Sequence, residues 1–99
     1  MTINMQREGT TLTMELDGRI DTQTAPSLQE AVDASLEGVS LLVLDFMKVI
    51  YVSSAGLRVI AAAQYQMDEK GGEMIICGAN KNIRSLFKVT GFDTFLTLE

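Results

Sequence analysis

Hydrophobic and polar positions along this chain change period several times, and the changes mark out its elements. Thr11-Leu12-Thr13-Met14-Glu15-Leu16 alternates polar and apolar, as a half-buried strand does. Thr2 to Arg7 is a weaker strand candidate before it, with Glu8-Gly9-Thr10 as a hairpin turn between them. Asp17-Gly18 is expected to end the second strand. Thr24 then serves as N-cap of a helix with Pro26 in its first turn, where a missing N–H costs nothing. Leu28, Ala31, Val32, Ser35 and Leu36 follow at helical spacing, and Gly38 stops the helix.

Val39 to Phe46 is a nearly continuous apolar run, too short for a core helix and rich in strand formers. Such a run predicts a central, parallel strand covered on both faces. Lys48 to Val52 reads as a loop or short extension. Ser53 and Ser54 precede a long helical pattern carrying Leu57, Ile60, Ala61, Gln64, Tyr65 and Met67, ended by Gly71-Gly72. Met74 to Cys77 is another buried strand. Asn80 caps a third helix with Ile83, Leu86, Phe87 and Thr90 on its apolar side; Gly91 ends it and Phe92 packs back. Phe95 to Leu98 is a short last strand. Strands alternating with helices predict a single α/β domain over residues 1–99, with a mixed, largely parallel sheet of four to five strands and helices packed against it.

Charge and composition narrow the function. The net charge is −5, with basic residues scattered and no basic stripe, which disfavours nucleic acid and anionic membrane surfaces as partners. An acidic surface suits a basic protein partner, but such acidity is common and carries little weight alone. The single cysteine, Cys77, cannot form an internal disulfide, and its apolar setting reads as a buried structural thiol. Met1 to Thr11 has no apolar signal region and no stretch of 18 apolar residues exists, so a cytoplasmic location is expected. There is no histidine, no zinc-ligand set, no Walker A and no Gly-x-Gly-x-x-Gly segment. No metal, cofactor or enzymatic activity is expected. Methionines 5, 14, 47, 67 and 74 could line a flexible groove, but their spacing fits core faces better.

In an open α/β sheet, sites form beyond the carboxyl ends of strands, where loops feed helix N-termini. Here that place is Ser53-Ser54-Ala55-Gly56. Local physics favours a plain N-cap role for Ser54. A phosphosite is the functional alternative: free backbone N–H groups and the helix dipole tolerate added negative charge there. Gly56, lacking a side chain, lets a partner come close. A hydrolase nucleophile fails, because the glycine two residues before the serine and any histidine base are both missing.

Asp45-Phe46-Met47-Lys48-Val49-Ile50-Tyr51-Val52-Ser53-Ser54-Ala55-Gly56-Leu57-Arg58-Val59-Ile60 resembles the signature segment of STAS domains. Gly18-Arg19-Ile20-Asp21-Thr22 resembles that family's turn before the first helix, and Cys77 to Asp93 resembles its closing elements. The resemblance covers essentially the whole chain. It implies an anti-sigma factor antagonist, a binding module that docks on an anti-sigma factor which is also a serine kinase. Phosphorylation of Ser54 would release it, and a serine/threonine phosphatase would reset it. Asp21, Thr22, Val52, Ser53, Gly56, Leu57 and Arg58 would form the partner-binding surface of a chain that is monomeric when free. Ser53 stands where many antagonists carry Asp, which makes it an alternative acceptor. A second reading is an accessory STAS subunit of a larger complex, such as a lipid-transport ABC system.

Overall fold

The computed structural model describes all of residues 1–99. Strands β1 (Thr2–Glu8), β2 (Thr11–Ile20), β3 (Leu41–Val52) and β4 (Glu73–Cys77) form one sheet in the order β1-β2-β3-β4. β1 pairs antiparallel with β2, while β2–β3 and β3–β4 are parallel. Helices α1 (Ala25–Ser35), α2 (Ser54–Glu69) and α3 (Lys81–Thr90) fill the crossovers and the C-terminal return.

Burial alternates along the strands. Leu12, Met14 and Leu16 of β2, Leu42, Leu44 and Phe46 of β3, and Met74 and Ile76 of β4 are buried together. Their neighbours in sequence on β3 and β4, Leu41, Val43, Ile75 and Cys77, are only half-buried. The helices therefore cover one face, and β3 is not enclosed on both sides as its apolar run implies. Cys77 correspondingly sits half-exposed on the open face. α3 is anchored on the covered face by Phe87, whose ring centroid lies 6.3 Å from that of Phe46.

Two strands outrun their expected ends. β2 does not stop at Asp17-Gly18; it continues to Ile20 because Gly18, at φ +113°, absorbs an irregularity in its pairing. β3 continues through Lys48 to Val52, which is strand and not loop. Its register against β2 slips twice: Glu15 pairs Asp45 but Asp17 pairs Lys48, and Gly18 pairs Val49 but Arg19 pairs Tyr51. Each slip gives β3 one extra residue, a bulge. Buried positions then recur every third residue, at Phe46, Val49 and Val52, while Met47, Ile50 and Tyr51 turn outward.

The C-terminal segment is not a fifth strand. Phe92–Thr94 forms a short 3-10 turn, and Leu98 makes a single parallel bridge to Ile76. Asn80 caps α3 by accepting the Ile83 N–H at 2.9 Å, and left-handed Gly91 ends the helix, both as its sequence predicts.

Candidate functional site at the N-terminus of the second long helix

The carboxyl ends of β2 and β3 converge on the start of α2. Ser53 donates its backbone N–H to Ile20 O at 2.9 Å, tying the end of β2 to the strand-to-helix junction. Ser53 is extended (φ −90°, ψ 176°), and its hydroxyl accepts the Gly56 N–H at 3.3 Å. The N-cap of α2 is thus Ser53, and not Ser54 as the local pattern favours. Ser54 occupies the first helical position, is exposed, and its hydroxyl has no hydrogen-bond partner within the chain. The first turn of α2 holds no acidic residue, so its unpaired N–H groups and positive dipole end face solvent uncompensated.

Gly56 is buried beneath this surface. A Cβ there would lie 2.6 Å from Ile20 O and 2.9 Å from Ile20 Cγ2, so the glycine serves the packing of α2 onto β2 and does not open space for a partner. Leu57 and Val52 are also almost fully buried, with edges reaching the site.

Asp21 organises the neighbouring turn. Its Oδ1 accepts the N–H groups of Gln23 (3.0 Å) and Thr24 (3.2 Å). Thr24 does not cap α1 through its side chain; its hydroxyl instead donates to Arg19 O at 2.7 Å and accepts the Asp21 N–H. Hydrogen bonding to the Thr24 backbone holds the Asp21 carboxyl below the usual carboxylate range, against an opposing effect of desolvation. Arg19 pairs with Asp21 at 3.5 Å and lies 4.4 Å over the Tyr51 ring.

Two depressions flank the α2 N-terminus. A groove of about 520 Å³ runs between the end of β3 and α3; its lining includes Ile50, Tyr51, Leu57, Ile83 and Leu86, with the exposed Ser54 at its edge. A shallower one of about 260 Å³ contains Thr22, Pro26, Ala55 and Arg58. Of the expected residues, Val52, Ser53, Ser54 and Leu57 line the groove and Thr22 and Arg58 the shallower depression, whereas Asp21 lines neither and Val52, Gly56 and Leu57 are buried. Missed from the sequence are Ile50, 66 % exposed, and Leu86 and Thr90, whose helical spacing assigns them to the core. No three Asp, Glu or Cys side chains converge as a metal site would require.

An apolar groove beside an uncommitted serine at a helix N-terminus lies on the mixed four-stranded sheet of an α/β domain. The chain matches the model of the STAS domain over residues 2–99 and belongs to the STAS domain family. It is similar to the anti-sigma-B factor antagonist of Listeria monocytogenes, with 30 % identity over 83 % of this chain and 73 % of that protein. Among solved structures it is similar to an anti-sigma factor antagonist from Mycobacterium paratuberculosis, at 26 % identity and TM-score 0.86, over 98 % of this chain and 83 % of that one. Unphosphorylated SpoIIAA, an anti-sigma factor antagonist, shares the fold at 12 % identity and TM-score 0.81, over 99 % and 87 % of the two chains. No helix is long and apolar enough to cross a membrane.

Proposed function

We propose that this chain is an anti-sigma factor antagonist of the cytoplasm, a binding module and not an enzyme, switched by phosphorylation of Ser54. The observation that carries the reading is the division of labour at the α2 N-terminus. Ser53 is committed to the cap, while the Ser54 hydroxyl is exposed and unpartnered on the rim of an apolar groove. The names of the similar proteins supply the partner class, an anti-sigma factor. The groove accepts an apolar side chain of that factor, and Thr22 and Arg58 extend the contact on the other side of α2.

Phosphorylation by the anti-sigma factor acting as serine kinase adds about −1.5 to −2 charges at this rim. The helix N-terminus tolerates the dianion, so the fold persists. The docked interface does not, because the phosphate must be desolvated against apolar surface; a penalty of about 3 kcal/mol weakens binding roughly a hundredfold. A serine/threonine phosphatase restores the binding form.

The test is mass spectrometry after incubation with ATP and the anti-sigma factor kinase encoded alongside, on wild type, Ser54→Ala and Ser53→Ala. One phosphate that is lost in Ser54→Ala and retained in Ser53→Ala is expected. A phosphate surviving in Ser54→Ala would overturn the site. No phosphate on any of the three would overturn the switch and favour a constitutive accessory subunit.

A further inference from the structure

Three of the basic residues converge in space. Lys81, Arg84 and Lys88 are three of the eight basic side chains, and α3 sets them within a sector of roughly 60°. They line a depression of about 420 Å³. This stripe lies on the flank of α3 away from the Ser54 groove, which takes Ile83 and Leu86 from the same helix. α3 contains no acidic residue, and the chain's one ion pair joins Arg19 to Asp21, so all three cations are unpaired. Asp93 is the one carboxylate at the rim of this depression.

Across the C-terminal segment lies the opposite charge. Asp68, Glu73 and Glu99 line a second depression, of about 450 Å³, that also contains Phe95 and Thr97. Leu98 faces the cationic side, so residues 95–99 form the ridge between the two. Phe95 on this ridge is 45 % exposed.

The helix dipole accounts for Lys88, in the last turn of α3, and Asp68 accepts the Gln64 side-chain amide at 2.9 Å, but the remaining charges of the two patches have no such role. Lys81 is the first residue of α3, where the dipole opposes a cation. Asp68 and Glu69 end α2, where the dipole opposes an anion, and no basic residue sits in that last turn. Lys70 just beyond directs its ammonium to Leu36 O.

Three cations are too few for a polyanionic nucleic acid or a lipid surface, and the adjoining carboxylates repel both. The matching surface must carry positive and negative patches side by side at the same spacing. A second copy of this chain supplies that surface. A two-fold axis running along the 95–99 ridge sets the cationic stripe of one copy on the anionic patch of the other, twice, with Phe95 near the seam.

We infer that this ridge is a self-association surface, forming an isologous, salt-sensitive dimer through Lys81, Arg84 and Lys88 against Asp68, Glu73 and Glu99. Dilute protein at high salt is monomeric. The dimer leaves both Ser54 surfaces accessible, and the inference stands whether or not Ser54 is phosphorylated.

Sedimentation equilibrium of the full chain at low salt and at 1 M NaCl, where the screening length falls to about 3 Å, tests it. The wild type should dimerise at low salt and dissociate at 1 M. Lys81→Glu/Arg84→Glu/Lys88→Glu and Asp68→Lys/Glu73→Lys should each weaken self-association by about tenfold or more. Mixing the two variants should restore a dimer, with far-ultraviolet circular dichroism showing that both remain folded. A wild type that stays monomeric at millimolar concentration and low salt overturns the inference. So does a dimer indifferent to the reversals, or a mixture that fails to associate.

Discussion

The Ser53 hydroxyl accepts the backbone N–H of Gly56 at 3.3 Å, and this bond decides which of two adjacent serines is structural. Ser53→Ala should therefore destabilise the fold by about 1 kcal/mol, the usual cost of losing a cap. Ser54→Ala, which loses no intramolecular bond, should change stability by less than about 0.5 kcal/mol. Urea unfolding of the two variants measures the contrast. Equal effects would mean that the capping role is shared.

Gly56 is the most constrained position at the site. A methyl group there would press on Ile20 O, Ile20 Cγ2 and Val52 Cγ1 at 2.6, 2.9 and 3.0 Å. α2 cannot yield without pulling Ser53 from Ile20. Gly56→Ala should cost about 2 kcal/mol or more by overpacking and should displace the α2 N-terminus. Loss of partner binding together with a lower thermal midpoint is the expected result.

Phe87 holds α3, and with it one wall of the groove, against Phe46. Phe87→Ala should cost about 3–5 kcal/mol, since the buried ring leaves a cavity. Hydrogen exchange should show α3 amides losing protection before those of β3. Uniform loss along the chain would indicate that α3 does not detach separately.

Asp21 has a carboxyl pKa held below its unfolded value by the Thr24 and Gln23 N–H groups. Its stabilisation is complete above the unfolded value, about 4, and disappears as pH falls through the lower folded value. The wild type should lose more stability than Asp21→Asn when titrated downward from pH 6, as measured by thermal midpoints. The two profiles should converge at strongly acid pH.

Cys77 is half-exposed, yet desolvation, then the nearby Asp45 and Glu99 carboxylates, push its thiol pKa up. The thiolate is the reactive form, so labelling by a disulfide reagent at pH 7 should be slower than for free cysteine. Asp45→Asn should speed it. A fast wild-type reaction would contradict the electrostatic setting.

Much of this architecture is legible in the one-dimensional pattern. Thr11 to Leu16 alternates as a strand with one buried face, and Asn80 and Gly91 bracket α3 where capping chemistry requires. The segment from Asp45 to Ile60 carries the family resemblance that the match over residues 2–99 establishes. These features are local: each depends on residues within a turn or two of one another, so periodicity and cap preference suffice to find them.

What only the tertiary structure decided is non-local. Lys48 to Val52 became strand because β2 lies alongside it, and its two bulges exist only as register against β2. The cap passed to Ser53 because Ile20, more than thirty residues earlier, fixes its backbone through a hydrogen bond. Leu86 and Ile50 became groove walls because Phe87 docks α3 on Phe46, leaving a gap beside α2 that no helical period encodes. Charges distant along the chain became two opposed patches because the C-terminal segment folds back along β4 and separates them. The sequence by itself determined the elements, their order and the family, since those follow from short-range geometry. Which hydroxyl is free, and which surfaces stand beside it, depended on contacts between segments that only folding brings together.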